Sequence, residues 1–404
     1  MRLGWRPSNF GLFWAAQAVS HFGDPITVIA LATVTYRRTN SALFTSLAVV
    51  IATVPSAIFS FFAGVIADAI GHRRLMIISD VARVVLVASI PVALDKDAPL
   101  AVVYAIAFAA ATCTAAFNPA RAAIVPQLVE PTRLASSNAV IASTDRTIEI
   151  LGALAAGLLV ATIGEGAFYV DAATFAASAG LLSQVSVLEA ARSRGRRVRG
   201  MFAAVREGLR FLSNSPVLRA NTMFSLVAQL AIPVGNGLTP VYLVRRFAHG
   251  DVDFGAALFG VAEAAIAAGA VSAGFMLPDY TRRFRKGQLL LAGFGGYGLL
   301  MIFLGAVESL LPAMILFFLM GIANVVFVVP NITISQAATP PQLRARVFGA
   351  RIALLNLSWL PMIVLGGLLA DRIDVGLLIS LAGALTLATV LFAARFVPAV
   401  SDVP

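Results

Sequence analysis

The chain has 404 residues, 59% of them hydrophobic and 12% charged, with a formal net charge of +10 and a mean hydropathy of +0.89. A soluble globular domain carries about 25% charged and 45–50% apolar residues, so this composition excludes one and places the chain in a bilayer. Strand-period alternation is absent, which excludes a β-barrel and leaves helices as the spanning element.

A spanning helix needs about 20 mostly apolar residues. Windows of that kind run over 10–36, 42–70, 75–94, 98–121, 136–163, 166–188, 217–247, 253–278, 286–306, 309–337, 343–371 and 375–398. They predict an all-α integral membrane protein with twelve transmembrane helices. The widest polar gap divides six spans from six, giving bundles over 1–188 and 217–404 with a linker over 189–216.

The first window contains Gln17, Ser20, His21 and Asp24 at helical spacing, followed by Pro25. A charge at mid-bilayer costs about 2.5–3.5 kcal/mol on translocon scales, so such a group usually meets a cavity or a partner. Asp24 and His21 read as a protonatable pair for proton coupling, with a packing cluster as the alternative. Pro25 removes a backbone hydrogen bond and is expected to kink the helix. In the third window, Asp80 and Arg83 read as a helix-end network beside the preceding loop. Cys113 reads as a small packing residue, and no intramolecular disulfide is possible with one cysteine.

The fifth window reads STDRTIEIL. Arg146 and Glu149 are spaced as an intrahelical ion pair, and Asp145 and Glu149 share a face that can meet substrate. A purely structural role for the paired charges is the alternative. Asp171, in the sixth window, is assigned a structural role.

The linker carries RSRGRRVRG, suited to anionic lipid. After it, Phe202, Val205, Leu209 and Leu212 form one face of an expected interfacial amphipathic helix. In the seventh window PVGNGLTP is expected to interrupt the span, with Asn236 inside it. Glu263 is the only acid near mid-depth in the second half and reads as a proton-coupling or cation-binding group. Gln229, Asn324, Asn331 and Asn356 are candidates for the cavity wall, and Arg351 is expected near the inner end of its span. Shifting the sequence by 209 overlays Pro131, Leu134 and Gly157 on Pro340, Leu343 and Gly366, a weak repeat of the kind found in transporters built from two parallel six-helix halves.

Of the 30 Lys and Arg, Arg146 falls within a span, six (Arg37, Arg38, Lys96, Arg245, Arg246 and Arg372) fall on one side, and the rest fall on the other. The positive-inside rule then puts both termini in the cytoplasm of a cell inner membrane. The positive charge is thus an orientation signal, and no nucleic-acid partner is expected. With three histidines, one cysteine and no phosphate-binding glycine-lysine loop, no metal, cofactor or enzymatic activity is expected. The expected partners are protons, a small-molecule substrate and lipid, around a monomer.

The loop GVIADAIGHRR, with Gly64, Asp68, Gly71, Arg73 and Arg74, resembles the signature loop of the major facilitator superfamily. Gly71 permits a sharp turn, and Asp68 can face a helix N-terminus or a basic partner. In that family the loop helps lock the outward-open state, which implies the same role here for Gly64, Asp68, Gly71, Arg73 and Arg74, joined by Asp80 and Arg83. GFMLPDYTRRFRK keeps Gly274 and Asp279 as a second copy. QAVSHFGD, SDVARVVL, FNPARAAIVPQLV, VDAATFAASA and EGLRFLSNSPVLR are similar to the drug:proton antiporter branch that holds macrolide-efflux-type and siderophore exporters. One departure is Ala153, where antiporters of the family usually carry proline after a glycine. The resemblance implies a proton-coupled exporter of small amphipathic molecules. A dedicated exporter of a siderophore or other biosynthetic product, a lysolipid transporter, and a channel or transport-dead sensor are the alternatives.

Overall fold

A computed structural model describes residues 9–130, 133–186, 199–340 and 343–396. Nearly all of them are helical, as an apolar chain requires when lipid offers the backbone no hydrogen-bond partners. The helices are α1 (Asn9–Thr39), α2 (Ala42–Ile70), α3 (His72–Asp95), α4 (Leu100–Leu128), α5 (Leu134–Ile163), α6 (Ala167–Gln184), α7 (Arg199–Asn214), α8 (Pro216–Arg246), α9 (Val252–Arg283), α10 (Lys286–Ala306), α11 (Leu310–Ala337), α12 (Arg344–Ala370) and α13 (Val375–Phe396). Among the described residues, nine stretches are long and apolar enough to cross a membrane; one of them runs from α5 through the Gly164–Gly166 turn into α6.

The chain forms two compact units. The first comprises residues up to Val34 and from Ile51 to Arg196; the second takes Thr35–Val50 and everything from Arg197. In the first unit α3 packs against α4 and α6. Phe13, Met76, Phe117, Ile124 and Leu182 bring α1, α3, α4 and α6 into one apolar core. Gly71 begins α3 with φ of 100°, a left-handed conformation that a side chain resists, so the tight turn after α2 rests on this glycine. Arg73, two residues later in the first turn of α3, donates from Nε to the Leu182 carbonyl at 2.9 Å and from Nη2 to the Ser183 carbonyl. It thereby satisfies carbonyls that the end of α6 leaves unpaired. Arg74 is exposed. Gly64 and Asp68 lie in α2, with their side-chain surroundings outside the described residues.

In the second unit small residues set the helix spacing. A Cβ on Gly269 would sit 1.9 Å from the Phe318 carbonyl oxygen, and one on Gly321 would sit 2.0 Å from that of Ile266, so α9 and α11 touch backbone to backbone. Gly305 and Gly376 do the same for α10 and α13, as do Gly298 and Gly383 a few turns away. Such seams suit lipid, where packing rather than water exclusion holds helices together. The segment Thr35–Val50 is tied in by polar contacts. Asp371, at the end of α12, accepts from Ser41 Oγ at 2.6 Å and from the Ala42 amide at 2.6 Å, capping α2. Arg245 donates to the Tyr36 hydroxyl at 3.1 Å and the Ala370 carbonyl at 2.7 Å, and Arg37 pairs with Asp253.

One expectation about helix continuity is corrected: α8 runs unbroken from Pro216 to Arg246 through the stretch expected to interrupt it, while α1 carries Pro25 inside the helix. Local hydroxyls support that backbone: Ser46 donates to the Gly237 carbonyl at 3.1 Å and Thr239 to that of Gly235 at 3.0 Å. The amphipathic α7 lies where the sequence places it. Leu212 packs with Leu218 and Val347, joined by Phe211, whereas Leu209 is exposed. Phe202 and Val205 have side chains outside the described residues.

Candidate functional site

The first unit holds a buried polar network about halfway along α3. Arg83 is 1% exposed and Asp80 0%, three residues apart on one helical face. Arg83 Nη2 pairs with Asp80 and also lies 3.2 Å from Ser20 Oγ on α1. Its Nη1 reaches Asp24 Oδ1 at 3.4 Å and Thr114 Oγ1 on α4 at 3.5 Å. Ser178 on α6 donates to Asp80 Oδ2 at 2.7 Å. Four helices therefore meet at one guanidinium. Its face is closed by the rings of Phe117 and Phe175, whose centroids lie 4.8 and 4.1 Å from Cζ, a favourable placement for a desolvated cation.

Asp24 is the junction of this network. His21 Nδ1 lies 3.2 Å from its other oxygen, Oδ2, one helical turn away, and both side chains are partly exposed. Gln17, one turn further along α1, is fully buried, and its amide has no partner among the described residues. Asp24 and Arg83 open onto a cavity of about 120 Å³, which Thr27, Thr114, Asp171 and Phe175 also line. Asp171 accepts from Thr27 and, at 3.4 Å, from Thr174. Gly23 makes this approach possible, because a Cβ there would sit 2.1 Å from Asp171 Oδ1.

Several candidates fall elsewhere than the sequence suggests. Asp80 and Arg83, grouped with the signature loop by sequence, lie within the α3 interior on the Asp24 network. Asp145 is held by Arg121 of α4, with Nη2 at 2.5 Å from Oδ2. Arg146 and Glu149 form their intrahelical pair at 2.7 Å, but Arg146 is 62% exposed. Glu263 is partly exposed on α9. Asn331 is buried on α11, hydrogen-bonded to Ser225 and Arg351. The backbone of Asn236 is in α8, and its side chain lies outside the described residues. Sequence reading missed Thr27, Thr114, Arg121 and Ser178 as partners. The one available signal was the spacing of Asp80 and Arg83 inside an apolar run, which marks a buried pair.

The Major Facilitator Superfamily family model matches residues 13–360. The chain belongs to the Major Facilitator Superfamily. It is a multi-pass membrane protein of a transporter family. It is similar to the uncharacterized MFS-type transporter YfmI of Bacillus subtilis (strain 168), at 24% identity over 93% of each chain. The multidrug efflux pump Tap of Mycolicibacterium fortuitum is 31% identical, over 55% of this chain and 57% of that one. Among solved structures, a POT family transporter in complex with 5-aminolevulinic acid superposes with a TM-score of 0.75 at 14% identity, covering 99% of this chain and 98% of that one. The nucleoside transporter NupG (D323A mutant) superposes with a TM-score of 0.73 at 11% identity, covering 95% of this chain and all of that one. These structures share the fold.

Proposed function

We propose that the protein is a twelve-span secondary transporter of a cell inner membrane that exports small amphipathic organic molecules in exchange for protons, with both termini cytoplasmic. The observation that carries this reading is the pairing of one buried guanidinium with two carboxylates beside a cavity. Asp24 and Asp80 share Arg83. With Asp24 and Asp80 ionised and His21 and Asp171 neutral, the set holds one negative charge in excess, and Asp24 is more exposed than Asp80. A proton on Asp24 removes that excess, and so does a cationic group entering the cavity. The two compete for one charge, and competition for one site under alternating access is what exchange requires. His21 can pass a proton to Asp24 or hold one beside it. Phe175, Ala107, Ala110 and Ala111 give the cavity an apolar side for the body of an amphipathic molecule.

The partial likeness to a multidrug efflux pump supports export as the direction. The test is efflux of a cationic dye such as ethidium from cells that express the protein. Efflux that a protonophore abolishes, and that fails with Asp24→Asn at equal expression, is the expected result. Efflux indifferent to both would overturn the proton-coupled reading.

A further inference from the structure

We propose a second binding site, in the second unit, where Arg351 takes up an anionic group, the carboxylate of a small organic molecule. α12 carries Arg351 into the interior, where it is 4% exposed. Its Nη2 donates to Ser225 Oγ of α8 at 2.7 Å and to Asn331 Oδ1 of α11 at 2.5 Å. Both partners are neutral. Among the described residues, no carboxylate lies within 4 Å of this guanidinium, and its buried Nε has no acceptor.

The neighbours are already committed to one another. Asn331 Nδ2 donates to Ser225 Oγ at 2.8 Å, and Asn221 Nδ2 donates to Ser335 Oγ at 2.9 Å and to the Asn331 carbonyl at 3.1 Å. Two further buried polar atoms, Asn221 Oδ1 and Thr222 Oγ1, lack partners among the described residues. The contrast with Arg83 is direct: that buried arginine faces two carboxylates, and this one faces none. Arginine does not shed its proton in proteins, so its charge persists in the span, and no anionic group among the described residues balances it. A neutral glutamine could tie α8, α11 and α12 through the same two acceptors, so the tie alone does not account for a cation.

The chemistry of the anion follows from the surroundings. Arg351 and Arg83 are the only buried cations among the described residues, so this site balances a single negative charge. A planar fork whose Nε–H is unused matches a carboxylate in particular. Phe327, one helical turn before Asn331, and Phe224, the residue before Ser225, each pack with Phe294, at centroid distances of 5.0 and 5.1 Å, and lie 6.4 Å from each other. These rings are a flank for an apolar or aromatic body. The inference stands apart from the proton-coupling reading, since it concerns other residues and a binding equilibrium.

The test uses the full chain in lipid nanodiscs, with equilibrium binding of benzoate, 2-naphthoate and the uncharged 2-naphthamide. Wild type, Arg351→Lys, Arg351→Gln and Asp24→Asn are compared. Saturable carboxylate binding, stronger than amide binding by about tenfold or more, is expected. It falls by a similar factor in Arg351→Gln, recovers in part in Arg351→Lys and is unchanged in Asp24→Asn. Should Arg351→Gln fail to fold, the carboxylate-to-amide ratio in wild type and the response of Arg351→Lys decide the matter. Equal binding of naphthoate and naphthamide, binding unaffected by either Arg351 substitution, or no carboxylate binding would overturn the proposal. So would an Arg351-dependent site that takes chloride or inorganic phosphate and neither organic carboxylate.

Discussion

Arg83 holds Asp24 and Asp80 at once, and its removal leaves Asp80 fully buried, and Asp24 partly exposed beside the cavity, without that counter-charge. Arg83→Leu is expected to destabilise the first unit by about 3–5 kcal/mol, the usual consequence of breaking a buried ion pair from one side. Chemical denaturation in detergent, followed by tryptophan fluorescence, reads this directly; a loss below about 1 kcal/mol, typical of exposed pairs, would mean that the carboxylates are solvated. Ser178→Ala is expected to cost only about 1 kcal/mol in the same assay, because Arg83 still satisfies Asp80. At this scale the sequence was partly legible. Asp24 and His21 stand out because titratable groups inside an apolar run are rare and expensive. Their bond to Arg83 does not, since it joins α1 to α3 across a distance in sequence that no spacing rule covers. Arg351 was hidden for a related reason. Arginines near the ends of spans usually reach the interface, and only the neighbouring helices reveal that this one turns inward.

Among the elements, the glycines of the second unit carry the clearest consequences. Gly269→Ala places a methyl group against the Phe318 carbonyl, and Gly321→Ala does the same against Ile266, so each forces α9 and α11 apart. Each substitution is expected to cost about 1–3 kcal/mol, as overpacking does. Because either one opens the same seam, the double variant should lose less than the sum of the two. Thermal melting of the purified variants checks this, and additive losses would mean that the two contacts are independent. The capping of α2 by Asp371 makes a different prediction. Asp371→Ala is expected to cost about 1 kcal/mol, the usual value of an N-cap, and to raise the thiol reactivity of a cysteine at Ser41. Unchanged reactivity would show that Asp371 does not hold this segment. Helix existence was readable from apolar run length, and α7 from its amphipathic pattern. The continuity of α8 through its prolines was not, because propensity near Pro233 and Pro240 argues for a break. In lipid the surrounding helices and back-bonding hydroxyls outweigh that local preference.

Taken as a whole, the molecule keeps its charged chemistry in places that one-dimensional patterns only half reveal. Composition gives the membrane, and the GVIADAIGHRR loop gives the resemblance that the match over residues 13–360 turns into membership of the superfamily. The same loop also shows what a motif leaves out. Arg73 is spent on the end of α6, while Asp80 and Arg83, close by in sequence, belong to the network around Asp24. Exchange of a proton for a cationic molecule is the central claim, and it rests on the single excess negative charge at Asp24, Asp80 and Arg83. The direct test is proton movement in proteoliposomes that hold only this protein and an internal pH dye, with a cationic amphiphile such as ethidium added outside. Wild type is predicted to move protons outward in a dose-dependent way as the dye enters, and Asp24→Asn, which lacks the charge the two compete for, to show neither coupled dye entry nor proton movement. Equal proton movement in the variant, or dye uptake in wild type without any proton signal, would contradict the claim.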